Sequence, residues 1–303
     1  MADITSTVAA PFIPQVWAQD ALEVLRANIV LAPLVTRDTD VAAFQVGNTL
    51  HVPYPGTLVA NDKAANSQIT LQTPTMTDTT VTLNKHKEAS FLVEDFAQAQ
   101  ANQPIRQRLI QSAVVAVAEQ IETDIISLYS SFSGSLGTSG TNLSAAALQS
   151  VNKKFTDNKI PRGNRHLVVA TKDSAALLAD TSLQSFFAFN NGSRGDVSAG
   201  LISDDIYGLQ LHESQLVPVV TGTPNSTKNL AFDPGAIILA MRTLPEAPTG
   251  SGVAQAVIQD PVSGLVLRVS LSYSQLYLGV TCTVDVLYGV AKLRDEKGFT
   301  VLS

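Results

Sequence analysis

The chain has 303 residues, enough for one large domain or two ordinary ones around a sizeable core. Charged residues make up 15%, against about 25% in an ordinary soluble domain, while 45% are apolar. That excludes a disordered chain and implies that surface normally kept charged is covered, self-association being the simplest cover and a soluble enzyme with a bland surface the alternative. A net charge of −6 argues against a nucleic-acid binder driven by counterion release.

One cysteine, Cys282, excludes an internal disulfide and a cysteine-based zinc site, and its alternating apolar surroundings predict a buried thiol. The start, MADITSTVAAPFIPQ, has neither the basic nor the apolar region of a signal peptide. No apolar run approaches the roughly 20 residues that span a bilayer. A soluble protein made in the cytoplasm is expected.

Residues 14–31, PQVWAQDALEVLRANIVL, predict an amphipathic helix, with Pro14 in its first turn and Trp17, Ala21, Leu25 and Ile29 or Val30 at helical spacing. VGNTLHVPYPGTL (46–58) alternates Leu50, Val52 and Tyr54 as a half-exposed strand does, and stops at prolines. Residues 59–80 are polar and rich in threonine and asparagine, and a second strand leaves through VTLNKHKEASFLV (81–93). Two strands joined by so long a polar segment make an extended hairpin that cannot bury a core of its own. Such a segment reads as a partner-binding arm or, more blandly, as a surface loop.

Within residues 103–132 a stripe of Ile105, Leu109, Ala113, Val117, Ile121, Ile125 and Leu128 predicts a helix. It has about seven turns, is roughly 40 Å long, and lays its stripe on a sheet or another helix. Its charges oppose the macrodipole: Arg106 and Arg108 lie at the start, Glu119, Glu122 and Asp124 toward the end. Either a compensating partner outside the helix, another subunit being one source of it, or plain solvation is expected.

SGSLGTSGTNLS (133–144) reads as a glycine-serine linker and a boundary. A helix over 144–160, a strand over 165–171 and a helix over 172–187 follow, then the glycine-rich loop 190–200 and strands in 208–214 and 217–220. From 253 the chain turns strongly β, with a hairpin about DPVSG (260–264) and alternation of Val280, Cys282, Val284 and Val286 in the last strands. The order is α+β rather than a repeating βαβ pattern, and there is no internal repeat.

Reaction chemistry is missing. His51, His86, His166 and His212 are scattered, and HESQL carries Leu216 where a second zinc histidine belongs. There is no G-x-S-x-G elbow, and neither GSLGTSG (134–140) nor GTPNSTK (222–228) has phosphate-loop order. The acids Glu94, Asp95, Glu122 and Asp124 make pairs of a kind commonplace on surfaces. Arg194-Gly195-Asp196 and the sequons at Asn142, Asn191 and Asn225 are chance matches. The basic stretch of Lys153, Lys154, Lys159, Arg162 and Arg165 suits phosphate backbone, a neighbour's acids or water, with water leading. The expectation is a protein with no catalytic residue, metal ligand set or cofactor site.

The order of parts nevertheless resembles a known family, the major capsid proteins of tailed bacteriophages with the Hong Kong 97-like fold. FIPQVWAQDALEVLRANIVLAPLVTRD (12–38) is similar to the opening arm and helix of that family, and VGNTLHVPYPG (46–56) to its approach to the extension loop. DTTVTLNKHKEASFLVEDFAQAQA (78–101) resembles its return strand and the turn into a spine helix, and NKIPRGNRHLVVAT (158–171) the turn before a central strand. SGLVLRVSLSYS (263–274) and TVDVLYGVAKL (283–293) resemble its closing strands.

The resemblance implies an N-terminal arm and helix over 1–46, an extension-loop hairpin over 47–84 and a peripheral domain with the spine helix over 85–142. An axial domain over 143–252, peripheral strands over 253–280 and C-terminal strands returning to the axial domain over 281–303 complete it. It implies a non-enzymatic coat protein that forms pentamers and hexamers of an icosahedral head around double-stranded DNA, without sequence-specific binding and without a membrane. A separate scaffolding protein, a portal and a decoration protein are the implied partners, with assembly in the host cytoplasm. An encapsulin-like shell, or a soluble α+β enzyme, are the alternatives. In this layout Lys85, His86 and Lys87 lie on the strand leaving the loop, with His86 on the opposite face from Phe91 and Val93, a polar face or subunit contact rather than a reaction centre.

Overall fold

The computed structural model describes residues 30–38, 49–56, 58–95, 105–181, 183, 201–248, 251–259 and 266–303. The helix expected over 14–31, the loop 190–200 and the turn 260–264 lie wholly or almost wholly outside them. In chain order come β1 (Thr36–Asp38), β2 (Thr49–Pro55), β3 (Met76–Thr82), β4 (Lys85–Glu94), α1 (Ile105–Ile126), β5 (Ser135–Gly137) and α2 (Ala145–Asp157). Then follow β6 (His166–Val169), α3 (Thr171–Ala179), β7 (Leu201–Ile206), β8 (Leu209–Glu213), β9 (Val219–Val220) and β10 (Ser226–Phe232). β11 (Ile237–Arg242), β12 (Val253–Gln259), β13 (Val266–Ser274), β14 (Gly279–Lys292) and β15 (Gly298–Leu302) close the chain. Among these residues no helix is long and apolar enough to cross a membrane.

The first sheet runs β1-β11-β14-β13-β12, with β4 on the other edge of β14. The α1 helix lies on this sheet, as its stripe requires: Val117, Ile121 and Ile125 are buried in one cluster with Val269, Val284 and Val286. The buried arc is broader than the stripe, taking in Ile110, Val114 and Ala118. The second sheet runs β5-β15-β10-β6-β8-β7. It forms its own core with α2 and α3, where Leu148, Phe155 and Leu177 meet Leu167, Leu211 and Val301.

The stretch expected to be a plain linker holds a strand. β5 pairs in parallel with β15, Leu136 opposite Val301. Gly137, at φ +86°, lies so close to the Leu302 carbonyl that a Cβ would stand 2.3 Å from its oxygen. The two sheets also divide the chain at other points than the segments inferred from sequence. β11, inside the 143–252 segment, sits in the first sheet between β1 and β14. β14 stays in that sheet too, and of the residues after 281 it is β15 that joins the second.

The strand expected over 81–93 is broken in two, because the chain changes partners there. β3 pairs with β2 and β4 with β14, with Leu83 and Asn84 between. The crossing is tight: a Cβ on Gly289 of β14 would lie 2.3 Å from the Thr82 carbonyl oxygen and 2.9 Å from its carbon. Gly289→Ala must displace main chain, so we expect a loss of about 1–3 kcal/mol, measured by chemical denaturation.

Candidate assembly surface

The site expected from sequence is the arm. β2 and β3 form a separate two-stranded ribbon with Thr49 opposite Thr82 and Pro55 opposite Met76. Its root is anchored: Leu50, Val81 and Leu83 are buried against Ile238 and Ala240 of β11. Farther out His51 Nδ1 lies 2.6 Å from Asp78 Oδ2 across the strands, both exposed.

Beyond β2 and β3 the ribbon keeps the same register to its tip. The Gly56 N–H donates to Thr75 O at 2.7 Å, and the Ser67 N–H to Ala64 O at 3.2 Å. Between them one side chain replaces the ladder: Val59 N–H donates to Gln72 Oε1 at 2.9 Å, and Gln72 Nε2 donates to Val59 O at 2.5 Å. Asn66 takes φ +61° at the apex, a conformation asparagine tolerates well. Residues 58–75 are exposed throughout, although they include Leu58, Val59, Ile69 and Leu71.

The charged stretch at 82–95 is used inside the chain. Burial alternates along β4, with Lys85, Lys87, Ala89, Phe91 and Val93 toward α1 and His86 on the other face, as expected. Lys85 Nζ lies 2.9 Å from Asp124, which also accepts the Tyr288 hydroxyl at 2.6 Å. Burial pushes the Asp124 carboxyl up, but the Tyr288 and Lys85 bonds outweigh it and hold the carboxyl below its usual range. Glu122 accepts the backbone N–H groups of Val30 and of Leu31, the latter at 2.6 Å, and burial raises its pKa. Glu122 and Asp124 are therefore met within the same subunit, and a partner on another subunit is not needed for these two, while Glu119 is exposed. On the opposite face Asp285, almost fully buried, holds His86 at 2.9 Å and Arg268.

The basic stretch divides similarly. Arg165 is buried, donating to the carbonyls of Pro161, Asn152 and Ile160 at the end of α2, while Lys153, Lys159 and Arg162 are exposed. Cys282 is buried, and desolvation pushes its thiol up to about 11.

Two histidines that look unrelated in sequence meet in the fold. β6 and β8 run parallel, and His166 Nδ1 lies 3.2 Å from His212 Nε2, both rings buried. Desolvation lowers both pKa values to about 4 from 6.5, with the nearby Asp233 opposing it at His166. Among the described residues no group of three or more His, Cys, Asp or Glu side chains is placed to hold a metal ion. Both rings are neutral in the folded chain at pH 7. As pH falls from 6.5 toward 4 the unfolded chain therefore takes up protons that the folded one does not, and stability drops. Thermal melts across that interval check this, and the double variant His166→Gln with His212→Gln is expected to melt with a flatter pH dependence.

No family model matches the chain, and neither does any curated protein. Solved structures do. A structure from Mycobacterium phage Che8 superposes with a TM-score of 0.60 at 18% identity, over 90% of each chain. The acid-stable capsid of Helicobacter pylori bacteriophage KHP30 gives 0.62 at 11% identity, over 90% of this chain and 88% of that one. A virus-like particle from Pyrococcus furiosus gives 0.55 at 11%, over 96% and 98%. At such identities the likeness speaks for the fold. The chain has the α+β, Hong Kong 97-like capsid fold that its sequence resembles.

Proposed function

We propose that this protein is the major capsid protein of a tailed bacteriophage, assembling as pentamers and hexamers into an icosahedral head around double-stranded DNA. One observation carries the reading: within a fold shared with phage capsids, the chain extends a ribbon whose outer half, residues 58–75, is exposed throughout and whose apolar side chains find no cover among the described residues. Shelter for such a limb comes from other copies. The phage capsid structures superpose slightly better than the Pyrococcus furiosus particle, with TM-scores of 0.60 and 0.62 against 0.55, which favours a phage head over another kind of shell.

In this reading the first sheet with α1 is the peripheral domain, the second sheet with α2 and α3 the axial domain, and β2–β3 the extension loop. The chain's role is structural rather than enzymatic, its place is the virion, and assembly occurs in the host cytoplasm with a separate scaffolding protein, a portal and a decoration protein. An acidic subunit suits a container whose DNA must enter and leave, because strong attraction to phosphate would hold the DNA on the wall.

The test replaces residues 60–71 by a two-residue Asn-Gly turn, which joins 59 to 72 in register. The variant is expected to stay folded, with an unchanged circular dichroism spectrum, yet to give no stable shells by negative-stain microscopy when scaffolding protein is supplied. Shells of normal heat resistance would overturn the reading.

A further inference from the structure

At the end of α2 the chain gathers positive charge that finds no ion-pair partner among the described residues. Between residues 145 and 170 stand Lys153, Lys154, Lys159, Arg162 and Arg165 against a single acid, Asp157. None of the ion pairs among the described residues takes in any of these five cations. Lys153, Lys159 and Arg162 are exposed, whereas Arg165 is buried.

Arg165 holds the turn after α2 in one shape. Its guanidinium donates to the carbonyls of Ile160, Pro161 and Asn152, to Asn152 Oδ1 and to Thr156 Oγ1. On the other flank Asn158 Nδ2 donates to the Glu296 carbonyl at 2.6 Å. Burial and the nearby charge of Arg162 lower the Arg165 pKa, with Asp233 opposing them. Lys159 ends the helix at φ +58°, its N–H donating to Thr156 O at 2.9 Å, a position that glycine or asparagine fills with less strain. A cation there suits the helix dipole, but that field fades within the last turn and gives no account of Arg162.

The partner's chemistry follows from what the patch lacks. No large apolar side chain is exposed between residues 145 and 164, unlike the arm with its Leu58, Ile69 and Leu71. Docking between proteins centres on apolar and aromatic groups. A phosphate backbone is instead met by lysine and arginine with polar neighbours, whatever the base sequence. A Cβ on Gly163 would meet nothing within 4 Å, so the turn is open to a broad partner.

We propose that Lys153, Lys159 and Arg162 form a sequence-independent contact for the phosphate backbone of double-stranded DNA, and that the turn after α2 faces the inside of the shell. This rests on the shell reading above and names the surface that meets the DNA. So few cations make a contact that salt loosens, in keeping with an acidic chain that must let its DNA go.

Fluorescence anisotropy of a short labelled duplex with the unassembled full-length chain tests the contact. Affinity is expected to fall with salt at a slope of about −2 to −4 in log K against log salt, alike for duplexes of unrelated sequence. The triple variant Lys153→Gln, Lys159→Gln, Arg162→Gln is expected to keep its circular dichroism spectrum, lose about tenfold or more in affinity and flatten the slope by about 2 to 3. Arg162→Gln alone is expected to flatten it by about 1. Wild-type chain that ignores the duplex at low salt, or a triple variant that binds it unchanged, overturns the proposal. So does polyglutamate that displaces the duplex at equal charge, because an acidic protein segment is then the partner. Placement is read with Gly163→Cys, since the native Cys282 thiol is buried. A maleimide carried on a bulky polyethylene glycol is expected to label it only after the shells are dissociated; Asn164→Cys serves if that variant does not assemble. Labelling in intact shells puts the turn outside and overturns the proposal. All these failures leave wild-type shells intact, whereas a wild-type chain that forms no shells with scaffolding protein present defeats the underlying reading instead.

Discussion

Backbone pairing of β14 holds the molecule in its shape. Along one edge this 14-residue strand pairs with β4, and along the other first with β13 and then with β11. Because strand side chains alternate, Cys282, Val284, Val286 and Tyr288 are buried beneath α1, while Thr281, Thr283 and Asp285 turn to the other face with His86 and Arg268. The same strand sets the positions of the turn before it and of the arm's root. Its first residue, Gly279, packs against Val93 and Glu94 of β4 where the turn at 276–278 ends, and Gly289 lets the root of the arm cross at Thr82. Arm and turn are thus positioned by one continuous ladder rather than by separate loops.

A chain with few charges places several of them inward. Asp124 is held by Lys85 and Tyr288, Asp285 by Arg268 and His86, Glu122 by two backbone N–H groups, and Arg165 by three carbonyls. Buried charges persist when paired and fully hydrogen-bonded. These arrangements join distant parts of the chain, Lys85 to α1 and Glu122 to the segment at Val30. Their geometric demands fix these parts of the chain in relation to one another.

Local patterns were legible in the sequence where a partner is near or where periodicity alone decides. The stripe on α1, the hairpin of β12 and β13, the extended arm, and the placement of His86 opposite Phe91 and Val93 belong to this group. Pairings across long separations were not. β5 lies in a run of glycine and serine that reads as linker, because its partner β15 is more than 150 residues away. The meeting of His166 and His212 depends on a parallel crossover that no spacing rule announces. Asp124 near the end of α1 showed no partner in the sequence because Lys85 becomes its neighbour through tertiary packing. The apolar turn at 276–278 went unremarked inside a strongly β region; the leucines bracketing Tyr277 in an otherwise alternating pattern were the available signal.

The constant register of the arm constrains how related chains can vary. Removing one residue from one side of the ribbon would turn that side's residues over from that point to the apex and leave those of the other side in place. Removing one residue from each side, across from one another, keeps the rungs paired but turns every outer rung over relative to the root, and only removing two from each side leaves both faces as they were. Length changes in this limb are therefore tolerated in steps of two residues on each side, placed symmetrically about Ala65 and Asn66, and related chains are expected to differ there by pairs of rungs.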